Sequence, residues 1–169
     1  MNRQSWASFV LFLSLTASSL GQAGERIAVL NFELNDLTLL PNTPQELRRT
    51  ASIRPLLELA LREAGDFEIL RVDDSDQAAA NAGFGYLFRY PEFAASLGEK
   101  VGADWVIVGQ HSKPGFLFSY LLANLIHVKD RTIAVSYAIE LKGRHEKVTR
   151  KGVESLAGQI REALAQSAH

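Results

Sequence analysis

Cysteine is absent from this chain of 169 residues. Its absence excludes disulfide bonds and thiolate metal sites, and it leaves no residue that could carry the lipid of a bacterial lipoprotein. Charge of one sign is also missing, because 18 Lys and Arg stand against 19 Asp and Glu and the formal net charge is −1. This balance gives no electrostatic reason to expect nucleic acid as a partner.

The first 23 residues have the pattern of a secretory signal peptide. Arg3 supplies a positive charge, residues 7–20 form an apolar stretch containing FVLFLSL, and the small residues Gly21 and Ala23 follow. The stretch is short for a membrane span, although an uncleaved anchor is an alternative that the sequence leaves open. We predict cleavage near Ala23, a single periplasmic domain spanning residues 24–169, and no lipoprotein anchor.

Short apolar runs and amphipathic segments alternate through the rest of the chain. Strands are predicted at residues 26–34, 67–72, 103–111, 116–128 and 132–141, and helices at 47–65, 91–102 and 149–166, with a short helix within 73–83. Residues 35–46 are predicted to be a loop. The helix at 47–65 carries an apolar stripe of Ile53, Leu56, Leu57, Ala60, Leu61 and Ala64, and apolar residues alternate along the strand at 132–141 from Ile133 to Leu141. The order predicts an α/β fold, a mixed sheet of about five strands with helices packed on it. Its first three strands are expected to be parallel, and a hairpin follows them.

Two of these strands carry a family pattern. The first contains Ile-Ala-Val-x-x-Phe at residues 27–32, and the third contains Gly-Ala-Asp, four apolar residues and Gly at 102–109. In their order and spacing these segments resemble the amino-terminal domain of TolB and the related periplasmic domains of CsgG and LpoB. Residues 34–57 and 81–88 resemble an uncharacterised family of predicted secreted bacterial proteins. The resemblance implies a non-catalytic role in envelope assembly through partner binding.

Residues 81–93, NAGFGYLFRYPEF, are rich in glycine and aromatic side chains. A dinucleotide fingerprint would need a third glycine where Phe88 stands, so a phosphate-binding loop is not favoured. Gly83 and Gly85 are expected to supply positive φ angles, and Pro91 is expected in the first turn of a helix. Whether the aromatic side chains pack under a turn or form a binding surface stays open in the sequence.

The position of this stretch favours a site. Ligands of open parallel sheets collect beyond the carboxyl ends of the strands, and the segments after the first three strands should share that edge. We therefore predict a binding site there, formed by nine residues. They are Asn35, Asp36, Leu39, Asn81, Phe84, Tyr86, Phe88, Tyr90 and His111.

Other patterns favour structural roles. Asp73, Asp74 and Asp76 do not match a calcium loop and are expected at a helix start, and the histidines show no zinc spacing. Glu33 and Asp36, three residues apart, could perform acid–base chemistry, but the sequence has no nucleophile motif and no cofactor motif. The basic residues Arg144, Lys147, Arg150 and Lys151 could contact a partner or acidic lipids peripherally, or form a solvated face.

Together these observations predict a non-catalytic periplasmic accessory protein that binds a protein partner at the cell envelope. The alternative is a small-molecule-binding module that uses the aromatic edge.

Overall fold

The structure, a computed structural model, describes residues 24–38, 41–65, 67–143 and 146–167. Its strands are β1 (Arg26–Val29), β2 (Glu33–Asp36), β3 (Glu68–Leu70), β4 (Trp105–Lys113), β5 (Phe118–His127) and β6 (Thr132–Lys142). Its helices are α1 (Pro44–Ala51), α2 (Ile53–Ala64), α3 (Asp74–Ala80), α4 (Tyr86–Arg89), α5 (Pro91–Val101) and α6 (Glu146–Ser167). The predicted signal peptide lies outside the described residues, so it and the domain boundary at residue 24 stay predictions.

All of the strands belong to one mixed sheet, as predicted. Its order is β3-β1-β4-β5-β6, with β2 also paired to β4. β1 is parallel to β3 and to β4, whereas β4, β5 and β6 are antiparallel neighbours. β5 therefore lies between two long strands, as its apolar residues on both faces predict.

The sheet separates two hydrophobic cores. On one face, called the α2/α6 face, residues from α2 and α6 cover alternate residues of β1, β4, β5 and β6. On the other, called the α4/α5 face, residues from α4 and α5 cover the intervening residues of β1, β4 and β5. The predicted apolar stripe of α2 is confirmed, since Ile53, Leu57 and Leu61 are fully buried. Because side chains alternate along a strand, each residue's position in its strand decides which core it joins.

The prediction of one continuous first strand over residues 26–34 is wrong. Val29 pairs with Ile107, but Glu33 pairs with Gln110, so three residues lie opposite two and one residue is extra. This extra residue forms a β-bulge that ends β1 and starts β2. Phe32 packs directly over the backbone of Gly109, where a Cβ atom would collide with its ring.

Two further predictions around α1 need correction. Residues 35–46 are not all loop, because β2 extends to Asp36 and α1 starts at Pro44. Thr43 and Glu46 cap α1 through reciprocal hydrogen bonds, a capping box. The predicted helix over residues 47–65 is two helices that meet at Ser52. Pro55 explains the break, because it has no N–H to donate to the carbonyl four residues earlier.

The helix predicted over residues 91–102 is confirmed. Pro91 opens α5, and Gly102 ends it with φ 76°, the left-handed conformation that glycine adopts readily. Among the helices that the structure describes, none is both long and apolar enough to cross a membrane.

Candidate functional site

Those predicted site residues that the structure describes come from one end of the sheet, but the sheet divides them between its two faces. Glu33 and Asn35 pair with Gln110 and Ser112, whose side chains lie on the α4/α5 face. Asp36 pairs with Lys113, and both lie on the α2/α6 face with His111. Leu39 lies outside the described residues. The single edge therefore contains two separate groups of side chains.

Glu33 organises the glycine-rich turn on the α4/α5 face. One carboxylate oxygen accepts a hydrogen bond from the Asn81 side-chain amide at 2.8 Å, and the other accepts one from the backbone N–H of Gly85 at 2.8 Å. Gly85 has φ 72° and Gly83 has φ 156°, as predicted for turn glycines. The turn is thus fixed to β2 at its start and continues directly into α4.

Aromatic side chains from this turn and the two helices after it form a surface. The rings of Tyr86 and Tyr90 lie 4.9 Å apart, and that of Phe93 lies 5.0 Å from Tyr86. Phe84, in the turn, is 59% exposed, and Tyr90 and Phe93 are each about 40% exposed. We call Phe84, Tyr86, Tyr90 and Phe93 the aromatic surface. Tyr86 and Phe88 both pack partly on the core beneath. Tyr86 belongs to the surface through its ring contacts with Tyr90 and Phe93, and we do not include Phe88.

The α2/α6 face contains a buried ion-pair triad of Asp36, Lys113 and Glu46. The Lys113 ammonium donates to Asp36 Oδ2 at 2.7 Å and to Glu46 Oε1. Burial raises the pKa of Asp36, but hydrogen bonds from Lys113 and Thr38 outweigh burial and lower the pKa to about 2. The hydrogen bond from Lys113 also lowers the pKa of Glu46. The triad joins β2, β4 and α1, so its evident role is to hold the first helix on the sheet.

His111 is fully buried beside this triad. Its Nδ1 lies 2.8 Å from the Thr50 hydroxyl, and its Nε2 lies 3.0 Å from the Ser119 hydroxyl. Burial, together with the positive charges of Arg49 and Lys113, lowers the pKa of His111 to about 4, and the ring is neutral at pH 7. A histidine activates a serine when a carboxylate orients its other nitrogen, and here the described contact to that nitrogen is a hydroxyl. The arrangement is a buried hydrogen-bond chain that joins α1 to β4 and β5.

The acid–base hypothesis for Glu33 and Asp36 is wrong. Residues three apart on a strand point to opposite faces, and the register places Glu33 beside Gln110 and Asp36 beside Lys113. The acidic residues after β3 have other partners. Asp74 accepts hydrogen bonds from Arg54 and Asn31, and Asp76 lies 3.6 Å from Lys100.

Two buried polar residues that support the site escaped the sequence prediction. Gln77 bonds to both the backbone N–H and the carbonyl of Asn31, and so satisfies the polar groups that the bulge leaves without sheet partners. Arg54 is buried in α2 and bonds to Glu58, to Asp74 and to the carbonyl of Val72. The available signal for Arg54 was its position beside the apolar stripe of the predicted helix, because it immediately follows Ile53, the first residue of that stripe.

A second exposed apolar group lies where β4 turns into β5. Residues 115–118, which we call the hairpin tip, include Phe116, Leu117 and Phe118, and Leu117 is 82% exposed. Leu37 is also exposed, and its N–H bonds to the carbonyl of Lys113 just before the tip, at 3.0 Å. The strand predicted over residues 116–128 starts two residues too early, because β5 begins only at Phe118 and Phe116 and Leu117 belong to the turn.

Comparisons with known proteins assign the family. The chain belongs to a family described as "Protein of unknown function (DUF2380)", whose model, DUF3280, matches residues 25–160. No curated protein sequence matches the chain.

Solved structures share the fold at low sequence identity. PelC from Paraburkholderia phytofirmans, described as a dodecamer, aligns with a TM-score of 0.56 and 13% identity over 80% of this chain and 86% of that one. The lipoprotein GNA1162 from Neisseria meningitidis aligns with a TM-score of 0.52 and 15% identity, over 80% and 96% of the two chains. TolB from Acinetobacter baumannii aligns with a TM-score of 0.50 and 17% identity, over 83% of this chain but 28% of its own. The predicted resemblance to an uncharacterised, TolB-like family is confirmed.

Proposed function

We propose that this protein is a non-catalytic accessory factor of the bacterial periplasm, and that it binds a protein partner through the aromatic surface. The observation that carries the proposal is the ring cluster of Tyr86, Tyr90 and Phe93, of which Tyr90 and Phe93 are each about 40% exposed. The exposed Phe84 lies in the anchored turn two residues before Tyr86. Aromatic side chains that lie partly exposed on a rigid support are enriched at protein interfaces and supply a large share of their binding energy.

The support for this surface is built into the fold. Glu33 fixes the turn before α4, and Leu87 between the exposed aromatic residues is buried in the core. The carbonyl of Phe88 accepts a hydrogen bond from the Asn124 side chain at 3.2 Å, which ties α4 to β5. A partner that binds here would meet side chains already held in place, so that little conformational entropy is lost on binding.

Two observations support the proposed envelope location: the signal-peptide pattern at the amino terminus, and the solved structures that share the fold. GNA1162 is a lipoprotein by its description, and the PelC structure is a dodecamer. The present sequence contains no cysteine for a lipid anchor, so we propose a periplasmic protein released by cleavage near Ala23. The dodecamer suggests a second copy of the chain as one kind of partner to be tested.

Site-specific crosslinking tests the proposal. The photoreactive residue benzoylphenylalanine replaces Phe84 in one variant and Leu59 in a matched control, because Leu59 is half exposed on α2, away from the aromatic surface. We expect a discrete protein adduct from position 84 and none from position 59, with mass spectrometry identifying a different protein or a second copy. Equal adducts at both positions, or none at position 84, would contradict the proposal.

A mutation pair separates the protein partner from the alternative of a small-molecule ligand. Phe93→Ala should weaken binding of the identified partner by roughly 30-fold, the loss typical of an aromatic residue at the centre of an interface. Leu59→Ala should leave it unchanged. A small molecule that stays bound to the purified protein in native mass spectrometry, and is lost in Phe93→Ala, would favour the ligand-binding module instead.

A further inference from the structure

The hairpin tip is an apolar surface separate from the aromatic surface. Phe116, Leu117 and Phe118 follow one another in the chain, and all three are exposed at the turn between β4 and β5. Leu37 extends the same apolar group, because its backbone bonds to Lys113 beside the tip. Consecutive exposed apolar residues at a projecting turn are costly in water, so they indicate a surface that some other phase or molecule covers.

Basic residues occur on β6 and at the start of α6, interspersed with the acidic residues Glu140, Glu146 and Glu154. Lys142 lies directly opposite Phe118 in the β5–β6 ladder, and its side chain is almost fully exposed. The first turns of α6 add Lys147, Arg150 and Lys151, all of them exposed. Apolar residues with lysine and arginine beside them are typical of segments that lie in a membrane interface.

Contacts within the fold tie the start of α6 to the same side of the protein as the tip. Arg49 donates to the carbonyl of Gly143 at 3.2 Å and to the hydroxyl of Thr149, in the first turns of α6, at 2.7 Å. Arg49 and Gly143 also line a shallow depression with residues 115–118. The start of α6 and the hairpin tip therefore face the same side of the protein.

We propose that the hairpin tip inserts its apolar side chains into the interface of a lipid bilayer, and that the basic residues around it select anionic headgroups. A protein partner fits this surface less well, because lysine is depleted at protein–protein interfaces whereas it is attracted to anionic lipid. The tip is also short, which suits shallow insertion between headgroups, where the turn's backbone can stay hydrated.

The absence of cysteine makes a local test direct. Leu117→Cys and, as a matched control, Leu59→Cys are each labelled with an environment-sensitive fluorophore in the full chain. Both are mixed with vesicles of phosphatidylcholine and phosphatidylglycerol, and with vesicles of phosphatidylcholine alone. We expect a blue shift and stronger emission at position 117 with the anionic vesicles, quenching by spin-labelled lipid, and no change at position 59.

The label reports the position of the tip itself, so membrane binding through another segment does not imitate the result. Emission at position 117 that stays that of a water-exposed dye with anionic vesicles would overturn the proposal. An equal response to neutral vesicles would overturn the selection of anionic lipid. An emission shift that grows with protein concentration in the absence of vesicles would show that the tip contacts other copies of the chain, and it would also overturn the proposal.

A charge variant tests the second half of the proposal. Replacing Lys147, Arg150 and Lys151 by glutamine should weaken binding to the anionic vesicles by up to about fivefold for each charge removed, as measured by titration of the label at position 117. The same replacements should leave circular dichroism unchanged, because these side chains are exposed. Unchanged affinity would overturn the role of the basic residues.

Discussion

Replacing Lys113 by methionine should destabilise the protein strongly. The Lys113 side chain is only 8% exposed, and it is the cation that contacts both Asp36 and Glu46, which are 5% and 16% exposed. Methionine keeps most of the volume and removes the charge. The two carboxylates would then face each other with little access to water, which raises the free energy of the folded state.

The magnitude follows from the geometry. The pKa of Asp36 falls from 3.8 to about 2, which corresponds to roughly 2 kcal/mol of stabilisation of its ionised form at pH 7. Removing one partner of a buried ion pair typically costs about 3–5 kcal/mol. The triad lies at the end of the sheet, where water can approach after small movements, so we expect a loss of about 2–4 kcal/mol at pH 7.

Urea unfolding followed by circular dichroism measures the effect. Lys142→Met is the matched control, because Lys142 forms an exposed ion pair with Glu140 at 3.5 Å, and such pairs contribute about 1 kcal/mol at most. The difference between Lys113→Met and the wild type should shrink below pH 4. A carboxylate with a lowered pKa stabilises the fold above its unfolded pKa, and this contribution is lost as the pH falls from 3.8 towards 2. Equal stability of the two methionine variants at pH 7 would refute the reasoning.

Three further predictions concern stability. Gly152→Ala should destabilise by about 1–3 kcal/mol because a methyl group there would collide with Leu141. Gly158→Ala in the same helix, where a Cβ atom would meet open space, should stabilise the protein by about 0.5–1 kcal/mol. Urea unfolding of the two variants measures both effects, and equal shifts of their unfolding midpoints would contradict the packing at Gly152. Gly85→Ala should cost about 1–2 kcal/mol since φ is 72°, and an unchanged urea midpoint would count against that turn geometry. The free energy of unfolding of the wild type should rise by about 3 kcal/mol between pH 4 and pH 6.5, because His111 is neutral in the folded protein whereas the unfolded chain binds a proton there. His111→Gln should flatten this rise. The same pH profile in the variant and the wild type would contradict a buried neutral ring.

The sequence predicts those parts of the fold that depend on local pattern. The apolar stripe of α2, the alternation along β6 and the glycine that ends α5 each rest on neighbouring residues. The structure confirms the stripe and the glycine, and it confirms the alternation from Val135 to Leu141, whereas Ile133 is exposed. The parallel order of the first strands follows from the helices that connect them.

What the sequence could not predict depends on contacts between distant residues. The period of a strand tells which residues share a face, but not how one strand aligns with the next. Predicting Asp36 and Asn81 as parts of one site therefore failed, because the register of β2 against β4 puts the sheet between their groups. Arg54 and Gln77 are buried with partners 20 and 46 residues away. The place of Arg54 beside an apolar stripe indicates its burial, but the sequence does not identify the partners of either residue.

The bulge between Val29 and Glu33 shifts the alternation of side chains between the two faces of the sheet by one residue. In an uninterrupted strand Phe32 would share a face with Leu30, and Glu33 would share one with Val29. The single additional residue reverses this assignment for everything that follows, so that Phe32 joins the α2/α6 core and the Glu33 carboxylate reaches the aromatic turn. Deleting one residue here would turn each side chain of β2 to the opposite face of the sheet. Glu33, which holds the glycine-rich turn, would then lie on the α2/α6 face, and Asp36 would leave the ion-pair triad. Whether two or three residues separate Val29 from Glu33 thus decides on which face of the sheet the side chains of β2 lie.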